Sequence, residues 1–144
     1  PSFDGPIRDV DLADAGVILP AESNGTVQPG QNADGRPMVL DGLLPRSGLG
    51  VRGTSRVGLD LAASGAPRAV RFRTDVGLDD ASAPVTARYR IHGDGRLLWD
   101  SGPVEEGRVV KPRLDVRGVT VLVLETDAPD AVMIDWTDVV VEAR

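Results

Sequence analysis

Glycine and proline punctuate this chain so densely that a helical fold is ruled out early. Seventeen glycines and eleven prolines fall among 144 residues, and before Pro129 no stretch free of both exceeds ten residues. In a helix interior glycine costs about 1 kcal/mol and proline about 3 kcal/mol relative to alanine. The same spacing suits short strands joined by turns.

Periodicity between the breakers agrees. Val57, Leu59 and Leu61 alternate with polar or small residues, as do Val70, Phe72, Thr74 and Val76, and then Val85, Ala87, Tyr89 and Ile91. Alternation of period two predicts strands with one buried and one wet face. Arg71, Arg73, Arg88 and Arg90 fall on the wet parity, and Ile134, Trp136 and Val140 share a parity near the end of the chain. The run Val119 to Leu124 is apolar on both parities apart from Thr120, which predicts a central strand covered on both sides. Gly93-Asp94-Gly95 carries the Asp-Gly signal of a hairpin, while Ser101-Gly102-Pro103 and Glu106-Gly107 mark further turns. Residues 20–37 read as a long loop region around short strands. The whole predicts one all-β domain, a sandwich or jelly roll.

Charge and residue type narrow the function. Lys and Arg total 16 against 22 Asp and Glu, a formal net charge of −6. That balance argues against nucleic acid or an anionic membrane as partner. The absence of cysteine excludes disulfides, thiolate nucleophiles and Cys-ligated zinc. No apolar run approaches the roughly 18 residues of a membrane span. A start at Pro1, without an initiator Met or a signal-peptide pattern, reads as a processed form or a piece of a longer protein.

Each motif has a plain structural reading beside its chemical one. Gly48-Leu-Gly50-Val-Arg-Gly53 spells a dinucleotide-binding pattern, but that mechanism needs a helix N-terminus after the turn, and here a period-two strand follows. The single histidine, His92, sits at a strand end beside a tight turn, where a hydrogen-bonded rim residue is expected. A small hydrolase centred on His92 is the third-ranked reading. Adjacent carboxylates at Asp79-Asp80 and Glu105-Glu106 point to opposite faces of a strand, so neither pair is a catalytic dyad. Asp79 and Asp80 close a strand and would cap a loop or offer oxygen ligands to calcium. Asn24-Gly-Thr26 has the form of a glycosylation sequon and reads here as loop. Of the aromatics, Trp99 could stack on a sugar ring from a loop rim, whereas Trp136 shares the core parity.

Several segments in register resemble one family. They are Gly48-Leu-Gly-Val-Arg-Gly-Thr-Ser55, Phe72-Arg-Thr-Asp-Val-Gly-Leu-Asp-Asp80, Ile91-His-Gly-Asp-Gly-Arg-Leu-Leu-Trp-Asp-Ser-Gly102, Leu114-Asp-Val-Arg-Gly118 and Asp135-Trp-Thr-Asp138, with Leu12-Ala-Asp14 similar to the family's first strand. Together they resemble the NPCBM domain, the novel putative carbohydrate-binding module related to family 51 modules. The resemblance runs from about residue 10 to the end of the chain. It implies a galactose-binding-like β-sandwich over 10–144, with residues 1–9 as a linker or N-terminal tail. It also implies a non-catalytic module that binds galactose-type or other glycans. Such a module is an accessory of a secreted bacterial glycoside hydrolase, with a catalytic domain adjacent in the same polypeptide.

On that reading Arg52, Asp79, Asp80, His92 and Trp99 form a shallow ligand site at one sandwich edge. A structural calcium ion is expected at Asp14, Asp79 and Asp138. The family usually has His where Arg52 stands, and Asp-His where Val132 and Met133 stand. This departure keeps open an alternative, a structural or interaction sandwich that packs on a neighbouring catalytic domain.

Overall fold

The alternating stretches become ten strands in a computed structural model that describes residues 8–13, 27–45, 47–63, 68–82, 84–105 and 108–144. The strands are β1 (Arg8–Asp11), β2 (Gln28–Pro29), β3 (Gly48–Arg52), β4 (Ser55–Asp60), β5 (Ala69–Leu78), β6 (Ala87–Gly93), β7 (Arg96–Val104), β8 (Arg113–Asp115), β9 (Val121–Asp127) and β10 (Met133–Ala143). Among the described residues there is no helix. One sheet runs β2-β3-β10-β5-β8, with β1 added along the second half of β10; the other runs β4-β9-β6-β7. Each strand pairing is antiparallel. The larger sheet is called here the first sheet and the smaller the second.

Between the sheets lies a core in which each strand contributes alternate residues. Leu49 and Val51, Val57 and Leu59, Phe72 and Val76, Tyr89 and Ile91, Leu122 and Leu124, and Ile134 and Trp136 are all buried. Tyr89 from the second sheet and Trp136 from the first meet edge to face, with ring centroids 6.0 Å apart, the arrangement the ring quadrupoles favour. Burial raises the Tyr89 phenol above its ordinary range, and the Asp135 carboxyl adds to the effect.

Two expectations need correction. Val140 does not share the inward parity of Ile134 and Trp136. A bulge between Thr137 and Val140, with Asp138 at φ 50°, flips the phase of β10, so that Val139 and Val141 point inward instead. The Val119–Leu124 run does supply the central strand β9, but only one of its faces is covered: Leu122 and Leu124 are in the core, whereas Val121 and Val123 are half-buried on the outer face. The expected hairpin closes β6 onto β7 with Asp94 at φ 49° and Gly95 at φ 83°. The Asp94 carboxylate accepts the backbone N–H groups of Val121 and Thr120, which hold it below the usual carboxylate range.

Candidate functional site

On the outer face of the first sheet, strand chemistry makes room for a second layer of backbone. Gly48 and Gly50 of β3, Asp135 and Thr137 of β10, and Asp75 and Gly77 of β5 point outward in register. A Cβ on Gly50 would lie 2.6 Å from the Asn32 backbone, and one on Gly77 would lie 3.2 Å from the Leu40 and Val109 side chains. One on Gly48 would press on Met38. Segment 31–40 therefore rests directly on these strands. The glycine pattern at 48–53 is a seat for crossing backbone, not a phosphate cradle. Its last member, Gly53, turns at φ 63° and donates its N–H to the Val132 carbonyl at 2.8 Å.

Two consecutive carboxylates at the end of β5 tie this segment down. Asp79 accepts from the Asn32 side-chain amide at 3.4 Å and from the backbone N–H groups of Val39 at 3.2 Å and Ala81 at 3.0 Å. Asp80 accepts from Asp41 N–H at 2.9 Å and Gly42 N–H at 2.8 Å. These last two residues form the tip of a tight turn, at φ 51° and 76°, that bridges Leu40 to Leu43. Beneath the segment lies Asp135, fully buried between Gly50 and Gly77 in register. Burial pushes its carboxyl up to about 10, and the neighbouring Asp79 and Asp80 act in the same direction. Burial also works against the Asp79 carboxylate. The neighbouring Asp135 carboxyl, the Ala81 and Val39 N–H groups and the Asn32 amide outweigh it and hold Asp79 below its ordinary range. Both Asp135 oxygens are buried with no hydrogen-bond partner among the described residues.

Beside the tight turn the surface is concave. One hollow of about 350 Å³ is lined by Leu40, Leu43, Leu44 and Pro45 together with Lys111, Asp75 and Asp138. A second hollow of about 670 Å³ is lined by Asp79, Asp80, Ser82 and Arg108 together with Leu78, Pro84 and Val109. The two share Asp41, Val109 and Lys111, so they form one groove.

The five residues expected to form a ligand site divide between the two sheets: Arg52 and Asp79 flank Met133 at one end of the first sheet, with Asp80 next in the chain, whereas His92 and Trp99 belong to the second. Asp79 and Asp80 border the groove and hold its rim. Arg52, at the end of β3, is paired with Asp34 and donates to the Ala131 carbonyl at 3.4 Å, outside the groove lining. His92 lies on the outer face of the second sheet, with Nε2 3.3 Å from Glu125 Oε1. Trp99 is in the edge strand β7 opposite Ile91, half-buried against the core. Of the calcium ligands expected, Asp14 lies outside the described residues. Asp79 and Asp138 are about five residues apart along the β5–β10 ladder, roughly 16 Å. The Asp79 oxygens are already engaged by N–H donors. Among the described residues no three acidic or His side chains converge on a metal position. Asp41, Leu43, Leu44 and Lys111 were missed in the sequence. The one available signal was that Lys111 is the sole lysine in a chain of 15 arginines.

A profile of the NPCBM/NEW2 domain matches residues 8–142. Solved structures share the fold at low identity. The CBM51 module of Clostridium perfringens GH95, in complex with methyl-galactose, superposes with a TM-score of 0.80 at 20% identity, covering 93% of this chain and 99% of that one. The CBM51-2 and INT domains of C. perfringens ZmpB, with GlcNAc bound to CBM51-2, give 0.78 at 18% identity over 94% of this chain and 32% of that one. The ZmpB M60 catalytic domain with its CBM51-1 and CBM51-2 domains gives 0.77 at 18% identity over 94% of this chain and 15% of that one. The chain thus spans a third or less of either ZmpB polypeptide. No curated protein matches it.

Proposed function

The chain belongs to the NPCBM/NEW2 domain family, and from that footing we propose that it is a non-catalytic carbohydrate-binding module, an accessory to a glycoside hydrolase in a secreted bacterial polypeptide, which takes its glycan in the groove beside the Leu40–Leu43 turn. The observation that carries this reading is the make-up of the groove: aliphatic side chains share its lining with acceptor-only carboxylates and a three-donor ammonium. Sugar rings present C–H faces to the first and hydroxyls to the second. Lys111 and Arg108 donate to hydroxyl oxygens, and Asp41 accepts from hydroxyl protons. Asp80 acts one step back, by fixing the turn that carries the aliphatic side chains.

Galactose-type sugars and N-acetylglucosamine are the first ligands to test, because the C. perfringens modules were solved with methyl-galactose and GlcNAc. Calorimetry at millimolar ligand should detect a saturable heat that Lys111→Ala abolishes. No heat with any simple or complex glycan would sink the proposal. One observation favours the second reading, a sandwich that packs on a neighbouring catalytic domain: Leu43 and Leu44 are 72% and 73% exposed side by side. On that reading Leu44→Ser would loosen the module from the full polypeptide and leave glycan heats absent.

A further inference from the structure

We propose that the groove is a pair of adjoining subsites that takes a glycan of at least two sugar residues, with Lys111 and Asp41 at the junction; this rests on the carbohydrate-binding reading above. The two hollows differ in chemistry but are continuous. The lining of the first includes four aliphatic residues, Leu40, Leu43, Leu44 and Pro45, and that of the second adds Asp80, Ser82 and Arg108 to Leu78, Pro84 and Val109. Each hollow, at about 350 and 670 Å³, is of small-ligand size by itself, and Asp41, Val109 and Lys111 line both where they adjoin. One ring lies with a C–H face on the aliphatic residues of the first hollow. The next extends into the second, where its hydroxyls meet donors and acceptors.

At this junction, neither the Lys111 ammonium nor the Asp41 carboxylate has an ion pair or side-chain hydrogen bond among the described residues. Elsewhere Arg52, Arg56, Arg73, Arg88, Arg90 and Arg113 are matched to carboxylates, whereas Arg36, Arg71 and Arg96 have no ion pair among the described residues either. A donor and an acceptor left open where the two hollows adjoin are placed to bond the hydroxyls that flank a glycosidic link. The aliphatic lining is also preset rather than adaptable. Its turn is closed by the Leu40–Leu43 bridge and pinned by two bonds to Asp80, so little ordering is required when a ring arrives.

The test is calorimetry on the full chain with methyl-galactose and GlcNAc and with the corresponding digalactoside and GlcNAc dimer. The disaccharide of at least one pair should bind about tenfold tighter than its monosaccharide, because the second ring binds at the effective concentration set by the first. The double change Leu43→Ser with Leu44→Ser should collapse that ratio to about twofold or less. Leu97→Ser, an equally conservative change on the exposed face of the second sheet, should leave the ratio intact. Equal affinity for mono- and disaccharide, or a ratio that survives the double substitution, would overturn the two-subsite arrangement and leave the carbohydrate reading standing. Absence of binding by any of the four sugars to the unsubstituted chain would overturn both.

Discussion

The two outer faces of this sandwich are built from the same alternating strands and end in opposite states. On the second sheet the outward residues stay at the surface as a cross-strand ladder. Arg88 and Arg90 reach Asp100, while Arg56, Arg90 and His92 reach Glu125. On the first sheet the outward residues at the β3-β10-β5 centre are glycines, Asp135 and Thr137, and they are buried under a crossing segment. The difference is one of volume. Long charged side chains keep a face open to water, whereas missing side chains let backbone settle onto it. The groove exists at the margin of the covered face, where the crossing segment turns back at Asp41-Gly42.

The comparison can be broken most forcefully at the glycine seat. Gly50→Val should cost about 3 kcal/mol or more, since the new side chain meets backbone that cannot retreat. Urea unfolding should show this as a lowered midpoint, and a shift under about 1 kcal/mol would mean that the segment does not rest on the sheet. Asp79→Ala comes next. It strands the Asn32 amide and the Val39 and Ala81 N–H groups, for about 2–3 kcal/mol. Hydrogen exchange at Val39 and Ala81 should rise with it.

The buried acid gives a third, pH-dependent contrast. Asp135 holds a proton in the folded chain up to about 10, but the unfolded chain releases it in the ordinary carboxylate range. The native state therefore binds more protons across that window, and this group makes stability fall as pH rises through it. Asp79, held below its ordinary range, acts in the opposite sense and only at the acid end. Asp135→Asn cannot titrate, so its stability relative to the parent should grow with pH, by at most about 1.4 kcal/mol per unit. Parallel pH profiles for the two proteins between pH 5 and pH 9 (a range of about four units) would refute a protonated Asp135. The smallest effect belongs to the open face. Glu125→Gln should cost about 1 kcal/mol or less and shrink further as salt is added.

Sequence alone revealed the strands of the second sheet well, because among the described residues no segment overlies them and parity maps onto burial. It revealed the family for a related reason. The motifs that matched in register are scaffold devices: the glycine seat at 48–50, the Asp94-Gly95 hairpin, the core Trp136 and the bulge at Asp138. Asp79 and Asp80 were legible as loop-holding residues. The groove was not legible. Its lining comes from positions 40–45, 75–84, 108–111 and 137–138, which only the crossing segment brings together, and none of them is aromatic. Val140 misled because a bulge changes phase without leaving a mark in hydropathy. His92 and Trp99 drew notice as rare residue types, yet the fold assigns them to the open sheet and its edge.

Having Trp136 sealed in β10 and Trp99 half-wet in β7 gives each sheet its own optical reporter. With Trp99→Phe the remaining emission comes from the strand that floors the groove, fed by Tyr89 at 6.0 Å. With Trp136→Phe it comes from the far edge. Ligand titrations and unfolding curves followed by fluorescence can thus be assigned to one layer or the other without attaching a dye.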